Sequence, residues 1–203
     1  MALKTLDNFK AALIGGGARP NLFEVSVTFP DSLAVGDETQ AITAPTTSTG
    51  NESLLTFMVK AAQLPASNIT PVEIPFRGRT LKVAGERTFD TWTITVLNDV
   101  DFKIRTAFEQ WMNGISRISD ATGEVDPNTY QKSATVKQLD RAGASMREYK
   151  FEGIFPTNVG QIDLSMDSTD TIEEYTVEFQ VQYWEAIADT SDSTKPEISW
   201  STS

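Results

Sequence analysis

Two groups of charged side chains are the first candidates for chemistry. Asp163, Asp167, Asp170, Glu173 and Glu174 crowd one acidic stretch, and Arg77, Arg79, Lys82 and Arg87 fall within eleven residues of each other. Paired carboxylates cleave glycosides or hold a hard cation. The Asp167-Ser-Thr-Asp170 spacing lacks the regular ligand positions and the glycine of a calcium loop. Clustered bases grip phosphates, but this cluster is short and is interleaved with few aromatics, only Phe76 and Phe89 flanking it. Its nearer complement is the acidity of the same sequence. A basic strip facing an acidic surface on a neighbour joins unlike surfaces, and such contacts build rings or stacks rather than closed dimers.

The rest of the composition narrows the chemistry further. The 203 residues contain no cysteine and no histidine. That removes disulfides, thiolate nucleophiles, Cys-ligated zinc, iron–sulfur clusters and every His-based triad or metal site. Acid–base work would fall to carboxylates, Lys or Tyr. No Gly-x-Ser-x-Gly turn and no phosphate-binding glycine motif is present. The formal net charge is −11, and residues 151–203 alone carry −10, with Lys195 their only base. Such acidity opposes wrapping of nucleic acid. No run approaches the roughly 20 apolar residues of a bilayer span. Asp7 and Lys10 interrupt the apolar stretch at the N-terminus, which therefore reads as no signal peptide.

Elements that would carry these groups follow from periodicity. Leu3, Leu6, Phe9, Leu13 and Ile14 have helical spacing and end at Gly15-Gly16-Gly17. Phe23, Val25, Val27 and Phe29 alternate with polar residues and predict a strand. Gly36–Ser53 is rich in Thr, Ser, Gly and Pro, and reads as a long loop or extended hairpin without a core face. Leu54–Leu64 reads as a strand. Val72, Ile74 and Phe76, then Leu81 and Val83, then Trp92, Ile94 and Val96 give three more alternations. Arg77-Gly78-Arg79 is turn-like, and Pro75 demands an edge or a bulge.

Asp99-Val-Asp101 supplies a cap for a helix whose stripe is Ile104, Phe108, Trp111, Met112 and Ile115. That wide aromatic stripe is read as packing on a sheet. Strands are expected at Ala134–Leu139, Tyr149–Phe155 and Val159–Leu164, with the longest alternation over Tyr175–Tyr183. The sum is a mainly β (α+β) fold: a β-sandwich or small barrel of two packed antiparallel sheets flanked by one main α-helix. Residues 1–188 read as one domain, and 189–203 as a flexible acidic Ser/Thr-rich tail.

Residues Pro75-Phe-Arg-Gly-Arg-Thr-Leu-Lys-Val-Ala-Gly-Glu-Arg-Thr-Phe-Asp-Thr-Trp92, then Thr93–Asp99 and the helix Phe102–Ile118, resemble the tail tube protein of contractile-tailed bacteriophages of the T-even type. Gly15–Val25 and Tyr175–Trp184 resemble the opening and closing segments of that family. The resemblance implies a structural virion protein rather than an enzyme, without cofactor or metal. It implies six-membered rings, joined by shared strands into an inner barrel and stacked into a tube. The implied partners are further copies of itself, the tail sheath protein, the tape-measure protein, and the baseplate and tail terminator proteins. Viral DNA would pass through the lumen without specific binding, and the subunit would be made in the host bacterial cytoplasm.

On this reading residues 36–53 reach between rings. The expected assembly residues are Asp37, Glu38, Thr46, Thr47 and Asn51 there, with Arg77, Arg79, Lys82, Arg87, Glu173 and Glu174 at seams. A tube from a related contractile device, such as a pyocin or a secretion-system needle, is the near alternative. A carbohydrate-binding β-sandwich, suggested by Trp184, Trp200 and the carboxylates, is the distant one.

Overall fold

The computed structural model describes residues 5–12, 17–35, 38–46 and 53–187. A seven-stranded antiparallel sheet forms the body, ordered β1-β8-β9-β10-β7-β4, with β11 also paired to β9. Its strands are β1 (Phe23–Val27), β4 (Val59–Ala62), β7 (Trp92–Leu97), β8 (Lys132–Leu139), β9 (Ser145–Val159), β10 (Glu174–Gln180) and β11 (Tyr183–Ile187). Two separate hairpins complete the strands: β2 (Ser32–Val35) with β3 (Glu38–Ala41), and β5 (Asn68–Phe76) with β6 (Arg79–Thr88). The helices are α1 (Leu6–Ala12), α2 (Leu54–Met58), α3 (Lys103–Ile115) and α4 (Pro127–Tyr130).

The sheet turns a corner along β9. The first part of this 15-residue strand pairs β8 and β11, whereas residues 155–159 pair β10. Gly153 sits between the two parts at φ +64°, where a Cβ would lie 2.5 Å from Cγ of Gln182. Only glycine fits that backbone and that approach. Across the chain, the single alternation expected over Tyr175–Tyr183 is two strands. The ladder breaks at Val181–Gln182, opposite the bend in β9.

The core forms where the two parts of the sheet and α3 meet. Alternate residues of β7 (Trp92, Ile94, Val96) and β10 (Tyr175, Val177, Phe179) are buried, as period two requires. The ring of Trp92 stacks on that of Phe151 at 4.5 Å between centroids, joining β7 to the first part of β9. From α3, Ile104, Phe108 and Trp111 are fully buried, and Phe108 meets Phe29 and Phe179. Both indole N–H groups are satisfied: Trp92 donates to the carbonyl of Gln63 and Trp111 to that of Tyr130.

The α3 cap differs in detail from the simple expectation. Phe102 holds the N-cap position in left-handed conformation (φ 54°), and the Asp99 carboxylate reaches past it. Asp99 accepts from the backbone N–H of Lys103 at 2.9 Å and of Ile104 at 3.3 Å. Two of the orphan donors at the helix start are thereby paired.

Three sequence expectations are corrected. Leu54–Leu64 is not one strand: Leu54–Met58 is a helical turn and only Val59–Ala62 is strand. A stretch of five residues carries no period long enough to separate helix from strand. Val159–Leu164 is not a strand, since only Val159 belongs to one and the chain then leaves the sheet. The Thr/Ser-rich segment does contribute to the core, through buried Ile42. The tail 189–203 lies outside the described residues.

Candidate assembly surfaces

The β5–β6 hairpin stands apart from the body. Every residue of β5 is exposed, and so is every residue of β6 except Gly85. Its two-residue turn puts Arg77 at φ 46° and Gly78 at φ 79°. Positive φ at both positions is the tight hairpin geometry that matches strand twist, and Gly78 suits it. Directly paired residues share a face. Val72 opposes Val83, Ile74 opposes Leu81 and Phe76 opposes Arg79, which makes one face apolar with a cationic rim. Glu73 opposes Lys82 and Pro75 opposes Thr80 on the other face. Pro75 is tolerated because β5 pairs with β6 alone. Ile74, Phe76 and Leu81 are 47%, 65% and 60% exposed.

The base of this arm is fixed to the body. The indole of Trp184 donates to the carbonyl of Ala66 at 3.2 Å, and Phe89 meets the Trp184 ring edge-on. Asn68 donates to the Asp90 carboxylate across the two stems at 2.5 Å. Trp184 also packs against Tyr149. It is thus a clamp for the arm, not an open platform for a sugar ring.

The basic residues of the sequence have distinct settings. Arg77 lies over the Phe76 ring at 5.4 Å, a cation–π contact at the tip. Arg79 sits on the apolar face beside Phe76. Lys82 pairs with Glu73 at 3.3 Å on its own hairpin, so its partner in the subunit is internal. Arg87 lies nearer the base, opposite Ile69. The structure therefore brings Arg77 and Arg79 together and separates Lys82 and Arg87 from them.

The expected acidic residues are also divided. Glu174 pairs with Lys60, and Glu173 accepts from the side-chain amide of Asn98 at 2.8 Å, so both serve the end of the sheet. Glu38 begins β3, and Thr46 bridges to Ser53, closing the neck of the segment between them. Asp37, Thr47 and Asn51 lie outside the described residues, as does Trp200. Between β9 and β10, residues 161–173 carry Asp163, Asp167 and Asp170; Asp163 and the exposed Leu164, Met166 and Ile172 line an open cleft of about 650 Å³. Sequence reasoning noticed the carboxylates but missed these three apolar residues. Their signal was isolated large side chains in a stretch otherwise made of Asp, Ser and Thr. Among the described residues no group of three or more carboxylates is arranged to hold a metal ion.

Among the described residues, Tyr175 is the ionisable side chain that the core buries. Its hydroxyl finds no hydrogen-bond partner, and burial pushes the phenol well above its ordinary value against the opposing pull of Arg105. The Arg105 guanidinium lies 5.2 Å from the ring and donates to the carbonyl of Gly160 at 3.0 Å. This ties α3 to the chain just past the end of β9.

Comparison with known proteins places this geometry. Residues 18–187 match the profile of the phage tail tube protein family. The tail tube protein gp19 of Enterobacteria phage T4 is 34% identical over 181 residues, covering 88% of this chain and 98% of that protein. The tail tube protein of Serratia phage KSP90 is 25% identical over 193 residues, covering 93% and 99%. Among solved structures, the sheath/tube terminator of an extracellular contractile injection system aligns with TM-score 0.59 at 15% identity, over 85% of this chain and 97% of that one. The tube-terminating cap of the anti-feeding prophage aligns with TM-score 0.52 at 17% identity, over 84% and 90%.

Proposed function

The chain belongs to the phage tail tube protein family, and from that premise we propose that it assembles into stacked six-membered rings forming the inner conduit of a contractile tail. The observation that carries the proposal is the β5–β6 arm. Five apolar side chains on one face of a two-stranded ribbon stay in water in the isolated subunit. About half of each side chain is still exposed, so covering the rest is worth on the order of 1 kcal/mol apiece, and a second protein surface is what covers them. The role is structural, with residues 1–188 as one tube domain, and no catalytic step is needed from it.

The polar face of the seven-stranded sheet supports a lumen reading. Opposite the buried positions stand Glu24, Glu148, Glu152, Glu178 and Glu185 against Lys137 and Lys150. A mildly acidic wall repels the phosphate backbone and lets DNA slide without adhering. Edge strands β1, β4 and β11 each keep one side without a partner strand among the described residues, and neighbouring subunits complete such edges in a closed barrel. The segment rooted at Ile42 and at the Thr46–Ser53 bridge reaches the next ring. Sheath, tape-measure, baseplate and terminator proteins are the partners of the finished tube.

Electron microscopy of the purified protein tests the reading. Six-fold rings or hollow tubes are expected, with shortening of residues 47–52 leaving folded subunits that fail to stack. Persistent monomers at high concentration would overturn it.

A further inference from the structure

We infer that the tip of the β5–β6 hairpin in one copy seats on residues 161–173 of a second copy, Arg77 and Arg79 meeting Asp163, Asp167 and Asp170. The inference rests on the tube reading and names the pair of surfaces that joins one subunit to the next.

The two surfaces match in chemistry. The tip offers Ile74, Phe76 and Leu81 with two guanidinium groups at its rim. The receiving segment offers Leu164, Met166 and Ile172 around its cleft, and Met166 is fully exposed. Residues 161–173 contain no base. Neither the three aspartates nor Arg77 and Arg79 take part in an ion pair among the described residues. Each side thus leaves apolar area and charge of one sign uncovered, and the other side carries the complement. Guanidinium groups suit this contact because they bind carboxylates through a planar fork and lose less hydration than ammonium groups do.

The two surfaces also lie at opposite ends of one strand. The hairpin feeds into β7 at Trp92, where the indole reaches the carbonyl of Gln63. The acidic segment ends at Glu174, which pairs with Leu97 at the far end of β7. Trp92 and Leu97 are the two ends of this six-residue strand, about 17 Å apart. Within one subunit both remain exposed, so the hairpin does not fold back onto its own segment. Complementary patches at opposite ends of a molecule make a head-to-tail contact, which closes into a ring or repeats into a stack.

The absence of native cysteine makes the test clean. Phe76→Cys and Met166→Cys are introduced singly and together, and assembled material is treated with a short bis-maleimide crosslinker. The double variant is expected to give a ladder of covalent multimers in a denaturing gel, while each single variant gives at most a dimer. Tubes that assemble normally but give no ladder overturn this contact and leave the tube reading standing. Failure of the unaltered chain to form rings or tubes overturns both. A second measurement covers loss of assembly in the cysteine variants. Arg79→Glu alone and Asp167→Arg with Asp170→Arg alone should each raise the concentration needed for assembly by about tenfold or more. Combining all three should recover most of that loss, and no recovery counts against the pairing.

Discussion

Strand β7 and the β5–β6 hairpin carry the same pattern and meet opposite fates. Trp92, Ile94 and Val96 alternate with threonine and leucine, and all three are buried. Val72, Ile74 and Phe76 alternate with Glu73 and Pro75, and all three are exposed. The difference lies in pairing. β7 runs between β10 and β4 in the body of the sheet, whereas β5 and β6 have only each other. Alternation specifies a strand with one face that must be covered; it does not say whether the cover comes from the same chain. In the body the cover is internal and sustains the fold. In the arm it is missing from the subunit, so its free energy is available to association.

Substitutions sharpen that contrast, beginning with the core. Trp111→Ala removes a fully buried side chain and its hydrogen bond to Tyr130, and should cost about 3–5 kcal/mol, read by denaturant unfolding of the isolated subunit. Gly114→Ala comes next. A Cβ there would lie 2.6 Å from Cδ1 of fully buried Leu33. Overpacking of about 1–3 kcal/mol is offset in part by about 1 kcal/mol of helix propensity, leaving a net loss in thermal melting.

Tyr175→Phe should change stability by less than about 1 kcal/mol at neutral pH, because the hydroxyl it removes has no partner. Its effect appears in alkali. Burial holds the folded phenol above its unfolded value of 10.0, so the unfolded chain releases its proton first. Stability therefore falls as pH rises past that value, and the phenylalanine variant should lose less of it between neutral pH and pH 11.

The arm gives the smallest effect on the subunit. Ile74→Thr with Leu81→Thr should cost the subunit no more than about 1 kcal/mol, since both side chains are already about half in water and touch only the hairpin's own face. Sedimentation of the same variant should show assembly impaired. A large loss of subunit stability would erase the distinction between arm and body.

Local regularity made much of the fold legible. β1, β7 and α3 follow from period two and period 3.6 over five or more residues, and Asp99 was readable as a cap. The corner in β9 was not, because it depends on Gln182 arriving against Gly153 from far along the chain. The break at Val181–Gln182 was hidden for the same reason: the apolar alternation runs unbroken through Phe179, Val181 and Tyr183 while the ladder changes beneath it. In the candidate surfaces, the bases were visible as charges. Their division into a tip pair and an internal Lys82–Glu73 pair needed the hairpin register.

The shared strand β9 has a mechanical consequence. In a sandwich of two independent sheets, the layers can shear across a side-chain interface. Here one run of peptide bonds crosses from the part that pairs β8 and β11 to the part that pairs β10. Sliding one part past the other would require stripping hydrogen-bonded ladders on both sides of Gly153 together. A unit built this way resists shear between its two parts through covalent backbone, rather than through packing alone.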